Sequence, residues 1–253
     1  MSSAITTPYA GPRSAAAPPG LPATNGRQEV TALAYGRLRE LIVTGRLAPG
    51  APLIETDLSK KLGVSRTPVR AALQRLQQEG FVGASVSGQM LRAFVAPLTA
   101  DDMREVFLMV GALEAAAARL AAVLPGMLRE ALAREMEGLS LALRAAAGAR
   151  PPDLVRALDL HLAFHRAFVA AAAGPRLVAE LEVLQPQAER YERVYAGALV
   201  YAFEEAAREH DEIDSAIRGG DGEAAERAVS RNWRGCADRY RQVVTILGER
   251  GNW

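Results

Sequence analysis

With 253 residues, of which 49% are hydrophobic, the chain is long enough to bury a substantial core and to form two domains or one large one. Its single cysteine, Cys236, excludes an intrachain disulfide framework. No apolar run approaches the roughly 20 residues that cross a bilayer, and residues 1–20 lack the pattern of a secretory signal. We therefore expect a cytoplasmic protein with no membrane partner.

The charge is divided unevenly along the chain. Residues 1–97 carry eleven Lys and Arg against five Asp and Glu, whereas residues 98–253 carry nineteen against twenty-four. A basic front and an acidic back indicate that only the front meets a polyanion such as DNA. The same asymmetry is also common in proteins that never bind DNA.

The first third of the chain has the pattern of a winged helix-turn-helix. Residues 1–28 are rich in Ala, Pro, Ser, Thr and Gly and predict a disordered tail. Apolar spacing predicts helices over 29–46, 56–62 and, after an N-cap at Ser65, up to Gly80. Two strand-like segments follow, at 81–86 and 91–95, with a hairpin turn between them. Pro97 marks the boundary, so the predicted DNA-binding domain is 29–97.

The second helix of such a motif enters the major groove of DNA. Opposite its buried stripe lie Arg66, Thr67 and Arg70, which are suited to base edges or phosphates. Lys60 and Lys61 lie close by and are predicted to contact phosphates. The alternative reading is that these are solvated charges on an ordinary helical hairpin.

Residues 98–250 show no strand signal and predict an all-α bundle of about six helices, which makes the fold mainly α. Two of the three histidines, His161 and His165, lie four residues apart and so project from one helix face. This spacing suits two imidazoles on one metal ion, and His210 on a later helix can complete the site. Equally, two histidines can line an organic pocket that holds no metal.

The helix-turn-helix segment LSKKLGVSRTPVRAAL, residues 58–73, resembles the signature of the GntR family of transcriptional regulators. The resemblance covers about residues 30–96 and implies DNA contacts by Arg66, Thr67 and Arg70, with Gly88 in the wing. Ala71 stands where the family usually has Glu. Thr56 stands where some members place a DNA-contacting Arg, so no base contact is assigned to it.

The rest of the chain resembles the FadR-type C-terminal domain, known as the FCD domain, over about residues 97–248. The matching segments begin at Asp101, Phe164, His210 and Gly220. In metal-binding members the first ligand position is Asp and the last is His; here His161 and Asn232 occupy them. The resemblance thus implies a zinc or nickel site formed by His161, His165, His210 and Asn232. Loss of the Asp predicts a more positive site that favours an anionic effector.

The effector contacts are harder to assign from sequence. Val110 stands where many relatives carry Arg, so the pocket must bind its effector differently. Arg166, Tyr191 and Tyr195 are candidate effector-binding residues, although surface or bundle packing is the alternative for each.

Together these features predict a homodimeric repressor that binds a palindromic operator and responds to a small organic acid near the metal. One alternative is a regulator for which the metal itself is the signal. Another is a metal-dependent hydrolase, but no HExxH or Ser-His-Asp pattern occurs, and we expect no enzyme.

Overall fold

The computed structural model describes residues 26–87 and 90–251. Within these ranges the chain forms nine α-helices and one two-stranded antiparallel sheet. The first helix begins at Gly26, so residues 26–28 are helical and not part of a disordered tail as predicted. The rest of that predicted tail lies outside the described residues.

The N-terminal part is a winged helix-turn-helix, as the sequence predicts. Its elements are α1 (Gly26–Val43), α2 (Glu55–Leu62), α3 (Arg66–Gln78), β1 (Val82–Ser87) and β2 (Met90–Val95). Strand β1 pairs with β2 from Val82 opposite Val95. The three helices and the sheet enclose one apolar cluster, which includes Leu38, Val69, Leu76 and Phe81.

The turn between α2 and α3 is set by two residues. Gly63 ends α2 in the left-handed region at φ 68°, and its N–H donates to carbonyls of the last turn. Ser65 occupies the N-cap position of α3, as predicted, but its side chain makes no capping hydrogen bond. The geometry of this turn therefore depends more on the glycine than on the serine hydroxyl.

The C-terminal part is a bundle of six helices. They are α4 (Ala100–Ala122), α5 (Gly126–Ala147), α6 (Leu154–Ala172), α7 (Pro175–Tyr195), α8 (Ala202–Gly219) and α9 (Gly222–Leu247). Thr99, Asp153 and Asp221 cap α4, α6 and α9 by accepting a hydrogen bond from a first-turn N–H. The number and order of these helices confirm the predicted all-α architecture.

Helices α4 and α9 pack closely at Gly111. A Cβ atom added to Gly111 would lie 2.7 Å from the Cβ of Trp233. The Trp233 ring contacts Phe107 edge-on, with centroids 5.4 Å apart. This close approach brings α4 and α9 together beside the functional site described below.

Helix α7 joins the bundle to the winged helix-turn-helix. Arg190 of α7 donates a hydrogen bond of 2.5 Å to the Ala96 carbonyl, and its guanidinium lies over the Phe81 ring. From the other side, Arg39 of α1 donates to the Glu182 carbonyl. The two parts therefore contact each other through α7. No helix among the described residues is long and apolar enough to span a membrane.

Candidate metal centre and DNA-binding surface

Three buried histidines meet in the middle of the helical bundle. His161 and His165 project from one face of α6, and His210 reaches them from α8. The Nδ1 of His161 lies 3.1 Å from the Nε2 of His210. One ring nitrogen from each of the three residues lies within 4.8 Å of the other two. Two nitrogen ligands of one zinc ion, each about 2.1 Å from it, are roughly 3–3.5 Å apart. The spacing of His161 and His210 therefore suits a shared ion, whereas the 4.8 Å span of the whole cluster has to shorten around it.

The donor atoms of this cluster also suit a metal. The Nε2 of His165 and the Nδ1 of His210 are buried and make no hydrogen bond within the described residues. For His165 Nε2, a metal ligand bond would remove the desolvation cost of an unpaired buried nitrogen. Burial and the neighbouring His161 and His165 hold the pKa of His210 well below its usual range, so its imidazole is neutral and keeps a lone pair.

A buried carboxylate orients His165. The Oε2 of Glu114 on α4 accepts hydrogen bonds of 2.7 Å from His165 Nδ1 and Trp233 Nε1. Its Oε1 accepts one of 2.6 Å from Gln185. Burial alone would raise the pKa of Glu114, but His165 and these donors hold it below its usual range. Conversely, burial would lower the pKa of His165, but Glu114 holds it above its usual range.

A second buried carboxylate faces His161. Glu192 of α7 is 1% exposed, and its Oε1 lies 3.6 Å from the Nε2 of His161. Its Oε2 is buried and has no hydrogen-bond partner within the described residues. His161 and Glu192 line a small cavity of about 30 Å³. The other lining residues are apolar or belong to α9: Leu158, Leu199, Ala202, Phe203, Ala206, Cys236, Arg239 and Tyr240.

The two carboxylates bear on the charge that the sequence predicts for this site. A more positive site was expected because His161 replaces the family Asp. Glu114 and Glu192 lie against His165 and His161. Three imidazoles are therefore accompanied by two carboxyl groups, and the effect of the replacement on the charge stays a prediction.

Glu114 and Glu192 were missed from sequence. One signal existed for Glu114, because it is the only charge in the buried stripe of α4 that also contains Val110, Ala117 and Ala121. A charge in an apolar stripe usually marks a paired or functional group. No such signal existed for Glu192, which lies in a segment where charged residues alternate with Tyr.

Asn232, the predicted fourth ligand, is 2% exposed and lies on α9. Its amide nitrogen donates a hydrogen bond of 2.7 Å to Glu209. Glu209 in turn pairs with Arg239 through both carboxylate oxygens. The amide nitrogen thus belongs to this ion-pair network, and metal binding by Asn232 stays a prediction.

The three predicted effector residues do not line the cavity beside His161. Arg166 is exposed and pairs with Glu189. Tyr191 donates to Asp102 at the start of α4, and Tyr195 donates to the Gly248 carbonyl. The rotation of α6 and α7 in the bundle, which sequence periodicity did not fix, directs these side chains elsewhere. Their role in effector binding stays a prediction.

The predicted DNA-binding residues of α2 and α3 lie at the protein surface. Lys60, Lys61, Arg66, Thr67 and Arg70 are all exposed, on α2 and α3. Arg70 donates two hydrogen bonds of 2.8 Å to Glu55, and Arg66 lies 3.8 Å from the same carboxylate. Glu55 therefore holds both guanidinium groups beside the first turn of α3. Gly88, the predicted wing contact, lies outside the described residues.

Comparison with known proteins agrees with both halves of the structure. Residues 31–88 match the family model of bacterial regulatory proteins of the gntR family, and residues 105–235 match the FCD domain. A 30% identical relative is an HTH-type transcriptional regulator in an unstable DNA locus of Streptomyces ambofaciens, over 87% of this chain and 88% of that protein. The HTH-type transcriptional repressor RspR of Escherichia coli K12 is 29% identical over 87% of this chain and 92% of its own length.

Among solved structures, E. coli McbR/YncC has the same fold. Its TM-score is 0.67 at 22% identity, over 84% of this chain and 97% of that one. A GntR-type DNA-binding domain followed by an FCD domain defines a class of transcriptional regulators. The chain belongs to the GntR family of bacterial regulators and carries an FCD effector-binding domain. Its relatives are transcriptional regulators and not enzymes.

Proposed function

We propose that this protein is a metal-containing, effector-controlled repressor. The observation that carries the proposal is the position of α7, which contributes Glu192 to the cavity beside the histidines and Arg190 to the contact with the DNA-binding domain. A change at the cavity that moves α7 therefore also moves a contact of the winged helix-turn-helix. Repression, in preference to activation, is supported by the relative RspR, which is named as a repressor.

The operator is bound by the exposed face of α2 and α3. Arg66 and Arg70 lie where a recognition helix meets base edges, Thr67 lies beside them, and Lys60 and Lys61 supply phosphate contacts. Glu55 orients Arg70 through two parallel hydrogen bonds, which leaves its outer N–H groups for DNA. Gly88 is proposed to let the wing approach the backbone of DNA.

The proposal of a homodimer on a palindromic site is supported by an exposed apolar stripe on α4. Leu108, Ala112, Ala116 and Leu120 recur every four residues and are all exposed. Contiguous apolar surface of this kind marks an interaction site, and a second copy of the same helix is complementary to it across a two-fold axis. Two recognition helices then read two half-sites.

The metal is held by His161, His165 and His210, with zinc or nickel as the candidates. Asn232 is retained as a proposed fourth ligand. With Asn232 as the fourth ligand, an organic acid can bind through its carboxylate at a fifth, open position, to which a zinc site can expand. The support for an acidic effector is this open position and not the charge of the site, because Glu114 and Glu192 are already present.

Effector binding must enlarge the cavity. Its volume is about 30 Å³, whereas pockets for organic ligands usually measure about 300–1,000 Å³. Enlarging the cavity displaces part of its lining, which includes Leu199, Phe203 and Glu192 of α7. If the effector prefers the expanded state, it shifts the population of orientations of the DNA-binding domain, with a coupling typically worth about 1–3 kcal/mol.

Metal analysis tests the site directly. Protein purified without a chelator or a His-tag column should contain about one zinc or nickel per chain, and His165→Ala should contain little. Arg166→Ala is the matched control, because it is the next residue on α6 but is exposed. No metal after incubation of the wild type with zinc or nickel would refute this part of the proposal.

DNA binding is tested on a duplex selected in vitro by the wild type from a random library. Arg66→Ala and Arg70→Ala should each weaken binding by about 1–3 kcal/mol and lower the salt dependence, while helical content stays unchanged. Arg134→Ala, an exposed charge on α5, is the control. Unchanged affinity for the duplex in both Arg66→Ala and Arg70→Ala would contradict the proposed binding of DNA by α3.

Two alternatives give different outcomes in the same assays. If metal alone changes operator affinity and no carboxylic acid does, the protein is a metal-responsive regulator. If the zinc-loaded protein hydrolyses members of an ester and amide panel, and His165→Ala does not, it is a metal-dependent hydrolase. For the effector-controlled repressor we expect release of the duplex only when metal and an organic acid are both present.

A further inference from the structure

Two of the three metal-site histidines are each paired with a buried carboxylate on the ring nitrogen that points away from the cluster. His165 directs Nδ1 to Glu114, which leaves Nε2 towards the other histidines. His161 directs Nε2 to Glu192 and Nδ1 to His210. The two rings therefore face the cluster through different atoms: His165 through Nε2 and His161 through Nδ1.

We infer that Glu114 and Glu192 are positioning residues that fix the tautomers of His165 and His161, so that the metal is bound by Nε2 of His165 and Nδ1 of His161. An ionised carboxylate only accepts hydrogen bonds, so the ring nitrogen facing it must carry the proton. The opposite nitrogen then keeps its lone pair for the metal. Metal-bound histidines in proteins are commonly held by a carboxylate in this way.

The Glu114–His165 pair is already complete. Its hydrogen bond of 2.7 Å is short, and Trp233 and Gln185 hold the carboxylate through two further bonds. All three donors come from different helices, α6, α9 and α7. Glu114 therefore cannot turn away without leaving the buried donors of His165 and Trp233 unpaired, each at a cost of about 1–3 kcal/mol, together with the partly buried amide of Gln185.

The Glu192–His161 pair is longer, with 3.6 Å between Oε1 and Nε2. Among the described residues, no other hydrogen bond or ion pair of Glu192 accounts for its burial. Its Oε2 makes no hydrogen bond within the described residues, and much of the surrounding wall is apolar. The nearby Arg239 is bound to both oxygens of Glu209. A buried carboxylate without compensation is costly, and a protonated ring nitrogen of a metal-bound His161 supplies the missing compensation.

His210 differs from the other two histidines, because no carboxylate among the described residues is hydrogen-bonded to its ring. Its ring stacks on Phe164 with centroids 3.7 Å apart, which fixes the plane of the ring but not its proton. With His161 Nδ1 as an acceptor, His210 Nε2 donates the 3.1 Å hydrogen bond before metal binds. Binding of the ion through Nε2 then requires this proton to move to Nδ1, which is free to carry it.

The inference rests on the proposed metal site, and it is tested on the full chain loaded with zinc. Since the protein has only three histidines, ¹⁵N-histidine labelling gives three resolvable rings. We expect ¹⁵N shifts that show zinc on Nδ1 of His161 and on Nε2 of His165, with a proton on the opposite nitrogen of each. His161→Gln and His165→Gln assign the signals.

Affinity supplies the second readout. Glu192→Gln preserves size and should weaken zinc binding by about 10–100-fold in competition with a chromophoric chelator. Glu192→Asp should recover part of this loss. Glu189→Gln is the matched control, because Glu189 lies one turn earlier on α7 and pairs outward with Arg166 and Arg193. It should bind zinc like the wild type.

The outcomes separate the two proposals. If the wild type binds one zinc but His161 is coordinated through Nε2, or if Glu192→Gln binds like Glu189→Gln, the positioning role is refuted and the metal site stands. If the wild type binds no zinc, the metal site and the positioning role fall together. Circular dichroism of Glu192→Gln must match the wild type for its affinity to count, and the ¹⁵N measurement on the wild type does not depend on that variant.

Discussion

The close packing of α4 on α9 can be tested by adding one methyl group. In Gly111→Ala the new Cβ would lie 2.7 Å from the Cβ and 3.0 Å from the Cγ of Trp233. Ordinary contacts between carbon atoms are about 3.5–4.0 Å, so the helices must separate by roughly 1 Å. The same movement draws Trp233 away from Glu114, to which it donates a hydrogen bond.

Two opposing terms set the size of the effect. Alanine is favoured over glycine in a helix by about 1 kcal/mol, and overpacking a close contact costs about 1–3 kcal/mol. Gly111→Ala should therefore lower the free energy of unfolding by about 0–2 kcal/mol. Gly138→Ala on the exposed side of α5 adds a Cβ with no atom within 4 Å, so it should raise stability by up to about 1 kcal/mol.

The comparison of the two alanine variants cancels helix propensity and leaves the steric cost. We would measure urea unfolding by circular dichroism at one protein concentration, with a chelator present. Gly138→Ala should be more stable than Gly111→Ala by about 1–3 kcal/mol. Equal stability of the two variants would show that α4 and α9 tolerate the methyl group, and the described packing would be wrong.

Two further predictions concern buried side chains. Burial raises the pKa of Cys236 well above its usual range, so the thiol should not react with a disulfide reagent at pH 8 until urea unfolds the chain; rapid labelling in native buffer would contradict this. Tyr191→Phe removes a bond to Asp102 and an acceptor for the Thr99 N–H and should cost about 1–3 kcal/mol, more than Tyr195→Phe. Because burial and Asp102 raise the pKa of Tyr191, its contribution should be complete below about pH 10 and lost at higher pH, which denaturation at several pH values would reveal.

The DNA-binding face shows how local sequence determines structure. The α2–Gly63–α3 turn is set by residues adjacent in the chain, and the buried stripe of α3 includes Val69, Leu73 and Leu76. With that stripe fixed, helical geometry leaves Arg66 and Arg70 on the opposite face. The partner of Arg70 was not predictable, because Glu55 comes from another helix fifteen residues earlier.

The candidate metal site was also predictable only in part from the sequence. The i, i+4 spacing of His161 and His165 determined that both lie on one face of α6, and the sequence placed the third histidine on a separate helix. Only the tertiary structure decided which ring nitrogens face the cluster. It also decided that Glu114 and Glu192 lie against the opposite ring nitrogens of His165 and His161. It also decided that Arg166 is exposed while Tyr191 packs against α4. Periodicity fixes which residues share a helix face, but the rotation of each helix in the bundle depends on side chains from other helices, and these lie up to 119 residues away in the chain.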